Sequence, residues 1–189
     1  MKTYILNIQI HLLQTHSKIL EWFKETKEIK SYKPIGKGWT ISEILEHIAL
    51  TSHFLLKLID KGTNKALRNV KNLSVAELRK DFDSDLSKLN EIGLHKSFRW
   101  IRPEHMEPTG DKSELEIKEE LIGQLNRCLN QLEKLKNGEG LLHKTTMTVK
   151  ELGKLNVYEY VYFLSKHAER HITQMEENKK EFETIQLHN

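Results

Sequence analysis

The sequence predicts an all-α fold, a four-helix bundle of four principal helices with a short extra helix. Three observations carry this. Apolar residues recur at spacings of three and four through most of the chain, the period of a helix that buries one face. Hydroxyl-x-x-Glu patterns stand where those periodic runs begin. The three prolines and nine glycines gather almost entirely in a few joints.

In order, the spacing predicts helices over 2–29, 41–61, 75–95, 114–136 and 157–183, with a short helical turn near 149–153. The joints are "SYKPIGKGW" (31–39), "KGTNKALRN" (61–69), "IRPEHMEPTGDK" (101–112) and "KNGEGLLHKTT" (136–146). The second helix starts at the capping box Thr40-Ile-Ser-Glu43, the third at Ser74-Val-Ala-Glu77 and the fourth at Ser113-Glu-Leu-Glu116. In each, the hydroxyl accepts an orphan amide proton of the first turn and the glutamate reaches back to the cap. Thr148-Val-Lys-Glu151 fits the same pattern, and Asn156-Val-Tyr-Glu159 is a related cap before the last helix. The third helix is the weakest. Leu78, Phe82, Leu86 and Leu89 form a stripe, but the intervening Asp and Ser residues lower its propensity. No alternating strand pattern, internal repeat or low-complexity segment stands out.

A chain of 189 residues suits one domain spanning 1–189. Its 30% charged and 38% hydrophobic residues suit bundled helices with solvated outer faces. The net charge of +3 comes from mixed signs, with no basic stripe that would point to nucleic acid or an acidic membrane. The single cysteine, Cys128, excludes an internal disulfide and lies between Leu125 and Leu129 as core filler, which fits a reducing compartment. The first residues lack the continuous apolar core and small-residue cleavage site of a signal peptide. No run approaches the roughly 18 uncharged apolar residues of a membrane span. The expected location is the cytoplasm, with no membrane partner.

The segment "KHAERHITQ" (166–174) interrupts this pattern. Along one face of the last helix lie Tyr160, Leu164, His167, His171, Gln174 and Asn178, apolar at first and then composed of ligand-type side chains. A parallel line through Val157, Val161, Ala168 and Met175 remains apolar. Residues four apart are about 6 Å apart along a helix axis, so two imidazoles there can meet one point beside it. H-x-x-x-H pairs bind metals this way. The spacing alone equally describes a core pair satisfied by hydrogen bonds. His47, at the inner edge of the Ile44, Ile48, Leu55 stripe, adds a third imidazole. Three buried imidazoles left unsatisfied cost on the order of 1–3 kcal/mol each, whereas one divalent ion satisfies all three. Three protein ligands with a position left open is the arrangement of catalytic metal sites. His11, His16, His53 and His188 read as surface or rim positions. His95, His105 and His143 lie in or beside joints, and His105 and His143 are pocket-wall candidates.

These segments resemble the DinB/YfiT-like superfamily. "GWTISEILEHIALTSHFLLKLI" is similar to its second-helix segment, in which a tryptophan lead-in and a Ser/Thr cap precede the first metal histidine. "EYVYFLSKHAERHITQM" is similar to its last helix, with the His-x-x-Arg-His-x-x-Gln signature. "RPEHMEPTGDKSELEIKEELIGQLNRCLNQL" resembles the connection and long helix between them. The resemblance spans about residues 36–178. It implies an up-down-down-up four-helix bundle with long crossover connections. It also implies one divalent ion, nickel or zinc, held by His47, His167 and His171, with Trp39, Arg170 and Gln174 completing the motifs. Some family members transfer low-molecular-weight thiols (bacillithiol, mycothiol or glutathione) to electrophiles, others carry the label of metal-dependent hydrolases, many have no assigned reaction, and homodimers are frequent. The stretch "GLLHKTTMTVKELGKLN" (140–156) is longer than the family pattern.

The expected activity is therefore transfer of a small thiol to a small electrophile, since coordination lowers the pKa of a thiol or water. The pocket would be walled by Trp39, Tyr160 and the 99–109 loop. Glu43 is either a residue orienting His47 or simply a helix cap. Arg99, Arg102 and Arg170 are candidates for meeting the carboxylates of a peptide-like thiol, with a structural salt bridge the competing role for Arg170. Hydrolysis by metal-activated water is the alternative, and a non-catalytic bundle tied together by the ion is another. The last predicts a fourth protein ligand, His143 or His105.

Overall fold

The computed structural model describes residues 1–98 and 103–187. Four long helices make the bundle: α1 (Lys2–Trp22), α3 (Ile41–Asn69), α6 (Glu114–Lys134) and α7 (Val157–Leu187). Short helices α2 (Lys27–Ser31), α4 (Val75–Lys80) and α5 (Ser87–Asn90) occupy the connections. Around the bundle the order is α1, α6, α3, α7, each packing on the next.

Two apolar clusters fix the direction of every helix. One joins Ile5, Ile8 and Leu12 of α1 to Leu56 and Ile59 of α3, Cys128 and Leu132 of α6, and Tyr158 and Val161 of α7. The other joins Ile19 and Trp22 to Ile41, Ile44 and Ile48, Ile117 and Leu121, and Ala168, Ile172 and Met175. Thus α1 and α7 run one way and α3 and α6 the other, giving up-down-down-up. Because α3 and α6 are parallel, the chain between them, residues 70–113, must cross the length of the bundle. That crossing brings loop residues to the end where α3 begins.

Caps set the starts. Thr40 with Glu43 and Ser113 with Glu116 form complete capping boxes. Asn156 and Glu159 exchange side-chain-to-backbone hydrogen bonds of 3.0 and 2.8 Å. Ser74 accepts from the Glu77 amide, whereas Thr148 makes no side-chain cap.

Four larger features differ from the sequence expectation. The first helix stops at Trp22, and Thr26 caps a separate α2. The second continues eight residues past the expected end at 61, because Gly62 serves close packing: a Cβ there would sit 3.2 Å from Val157. The expected helix over 75–95 is broken into α4, α5 and a 3-10 turn at Glu91–Gly93. Asp83 and Asp85 accept from the amides of Asp85 and Ser87, offering the backbone partners that compete with a helix. Lastly, an unexpected antiparallel hairpin, β1 (Lys144–Met147) and β2 (Gly153–Asn156), carries the extra length before α7. Its turn holds the short helical piece, a 3-10 turn at Val149–Glu151, in which Lys150 and Glu151 have positive φ.

Among the described residues no helix is long and apolar enough to cross a membrane. Cys128 is fully buried, and burial pushes its thiol up to about 12, so it is inert filler.

Candidate metal centre

The histidine triad lies between α3 and the middle of α7, toward the end where α3 begins. His47, His167 and His171 are all buried, at 4%, 2% and 8% exposure, and one ligand nitrogen from each lies within 4.8 Å of the others. The α7 pair meets at 3.2 Å, Nε2 to Nε2. The His47 ring packs 5.3 Å from His167 and 4.8 Å from His171, centroid to centroid. Four-residue spacing on α7 stacks two rings on one face, and α3 packs against α7 to bring the third.

The outer hydrogen bonds orient two of these rings. His47 Nδ1–H donates to the Met106 carbonyl at 2.7 Å, and His171 Nδ1–H donates to Gln174 Oε1 at 2.9 Å. Donation from Nδ1 fixes the tautomer in which Nε2 holds the lone pair. Two facing Nε2 atoms cannot both be satisfied by their lone pairs alone; a shared proton or a cation resolves the contact. Their separation matches the roughly 3.3 Å between two nitrogens on one tetrahedral ion with bonds of about 2.0–2.1 Å. Burial first, then the neighbouring imidazoles, holds His167 well below the ordinary histidine range. The same causes, led by burial and followed by His47, push His171 down to about 3. Both are therefore neutral at pH 7, the form that ligates metal. Donor type, tautomer and spacing all fit a divalent ion.

A cavity of about 360 Å³ opens onto the triad, lined also by Lys37, Gly38, Trp39, His95, Arg170 and Gln174. The Trp39 ring packs 4.6 Å from that of His47, and its carbonyl accepts from Asn178 at 2.7 Å. Arg170 donates to the Leu94 carbonyl and, at 3.3 and 3.4 Å, to Ser97 Oγ and the Phe98 carbonyl. It thereby clamps the crossing segment beside the triad.

The other pocket candidates lie elsewhere. Glu43 completes the α3 capping box and pairs with Lys33 at 2.8 Å, away from the cavity wall. Tyr160 is buried, and its hydroxyl donates to the Thr146 carbonyl at 2.9 Å, anchoring the hairpin. His105 packs its ring 4.3 Å from Phe54, and His143 sits beside Gly62 and Thr145. Neither comes within the triad's group of ligand atoms. Arg99, Arg102 and His188 lie outside the described residues. His16, expected at the surface, is 3% exposed and donates from Nδ1 to the Leu12 carbonyl one turn back. Burial lowers its pKa.

Lys37, Gly38 and His95 were missed as wall residues because all three stand in irregular segments, where periodicity assigns no facing. Glu46 was missed as well. It is 2% exposed and accepts hydrogen bonds from Thr109 N at 3.1 Å, Thr109 Oγ1 at 3.0 Å and Gly110 N at 2.8 Å. An acid inside "ILEHIAL" was its available signal.

Fold and site together define a helical bundle with a three-histidine centre between two antiparallel helices. The DinB superfamily model matches residues 11–175, and the chain belongs to that superfamily. The chain is also similar to the uncharacterized protein YuaE of Bacillus subtilis strain 168. The two are 27% identical over 176 residues, covering 87% of this chain and 94% of the relative. No solved structure matches the chain significantly.

Proposed function

We propose that the chain is a metal-dependent transferase that joins a low-molecular-weight thiol to a small electrophile. His47, His167 and His171 hold one divalent ion, nickel or zinc, at the floor of the cavity. The observation that carries the reading is the meeting of three buried imidazoles at the wall of an open cavity. A bound ion would supply Lewis acidity, lowering the pKa of a thiol at neutral pH.

The residues of the chain do the rest. Met106 and Gln174 hold the lone pairs of two imidazoles toward the centre. Trp39 covers His47 and keeps that side of the cavity apolar. Lys37 and Arg170 give the wall positive charge, which suits a thiol carrying carboxylates. Hydrolysis by metal-activated water uses the same floor, and the cationic wall favours the thiol.

This reading places the protein in the cytoplasm as a single-domain homodimer. The α1 face with Leu6, Ile10 and Leu13 supports the dimer. These residues are 52%, 43% and 41% exposed, and no Asp, Glu, Lys or Arg occurs from Thr3 to Ser17.

The test is thiol consumption by the zinc- or nickel-loaded protein, with bacillithiol, glutathione or cysteine against 1-chloro-2,4-dinitrobenzene. The reading expects turnover that needs both metal and thiol and is lost in His167→Ala. Metal-dependent ester hydrolysis without thiol dependence would replace it with the hydrolase reading.

A further inference from the structure

We propose that Glu46 is a positioning residue for the metal centre, acting on His47 through the loop 106–110. The inference rests on the reading that the triad holds an ion.

A carboxylate inside a helical bundle is costly unless it is fully hydrogen-bonded. Glu46 meets that condition through this loop: two backbone donors and a hydroxyl come from Thr109 and Gly110. Gly110 has φ of +76°, a conformation that favours glycine, and open space where a Cβ would stand. The turn is thus shaped to present its N–H groups to a carboxylate, the charge-assisted bonds that are the strong ones.

Four residues back, the same loop presents the Met106 carbonyl to His47 Nδ1. The loop is therefore tied to α3 at two successive residues, Glu46 and His47. Pro108, between the two attachment points, restricts the intervening backbone. Holding Thr109 and Gly110 fixes where the Met106 carbonyl lies, and that carbonyl fixes which nitrogen of His47 keeps its lone pair. Outer partners of this kind typically change metal affinity 10–100-fold when removed. Glu46 makes no contact with the ion; its effect passes through the loop.

The test uses the full chain and the metal alone. Zinc affinity is measured by chelator competition for wild type, Glu46→Gln, Thr109→Val and Ser113→Ala. The visible spectrum of the cobalt-loaded forms is recorded beside it. Gln preserves the shape but sets an NH₂ or a neutral oxygen against the Gly110 and Thr109 donors. The proposal expects a 10–100-fold weaker affinity and an altered cobalt spectrum for Glu46→Gln. Thr109→Val, which removes one donor of three, should weaken zinc about three- to tenfold. Ser113→Ala should lower the melting temperature and leave affinity and spectrum unchanged. Wild-type affinity within twofold in Glu46→Gln, despite a lowered melting temperature, would overturn the proposal and leave the triad standing. If Glu46→Gln does not fold, Thr109→Val decides by the same criterion. A wild-type chain that takes up no zinc would instead overturn the metal reading, and this proposal with it.

Discussion

The metal-free protein should be acid-labile in a narrow window, because three histidines are buried as neutral rings. His16, His167 and His171 all have pKa values lowered by burial, His171 to about 3. In the unfolded chain each returns to about 6.5. Above that value both states are neutral, and the full stability is present. As pH falls below it, the unfolded state takes up protons that the folded state refuses, so stability is lost until the folded-state values are reached. Each such group costs up to about 1.4 kcal/mol per pH unit, so His167 and His171 together give roughly 2–3 kcal/mol between pH 6 and 5, and His16 adds in the same direction. A domain stable by about 5–15 kcal/mol feels this strongly. At about 2–4 °C per kcal/mol, the melting temperature should drop by roughly 5–10 °C. Carboxylates held below their ordinary range, such as Glu43 and Glu181, lose their contribution at lower pH and add little here. Circular-dichroism melts in chelator at pH 7, 6 and 5 read the slope directly, and His171→Ala should reduce it by about one proton. A melting temperature that stays flat or rises between pH 6 and 5 would refute the burial argument.

Three further outcomes follow from single contacts. Gln174→Leu removes the acceptor of His171 Nδ1–H and should weaken zinc binding 10–100-fold in chelator competition, with the helical circular-dichroism signal kept. Gly140→Ala would place a Cβ 2.6 Å from the ring of Tyr158, whose hydroxyl also accepts from the Gly140 amide. The overpacking should cost about 1–3 kcal/mol in urea denaturation. Ser113→Ala removes the α6 cap, which should cost about 1 kcal/mol in the same assay.

The long helices were legible because their evidence is local and repeated. Apolar spacing and the Thr40, Ser113 and Asn156 caps each describe the element they begin. The triad was legible for a related reason: imidazoles on a packing stripe break a pattern that the rest of the helix keeps. Elements decided by side chains acting on nearby backbone were not. Asp83 and Asp85 turned an expected helix into turns, while Gly62 sat inside a helix because Val157 approaches it. The hairpin depended on pairing Lys144 with Asn156 and Met147 with Gly153, a partnership that no single segment displays. The cavity wall was the least legible part. His95 reaches it only through the path of the crossing segment, which Arg170 clamps.

The most direct measurement is the metal content of the purified chain by elemental analysis after equilibration with zinc or nickel and removal of loosely held ion. The account predicts close to one ion per chain in wild type and a near-complete loss in His47→Ala, His167→Ala and His171→Ala. Equal metal in any of the three variants, or none in wild type, would contradict it.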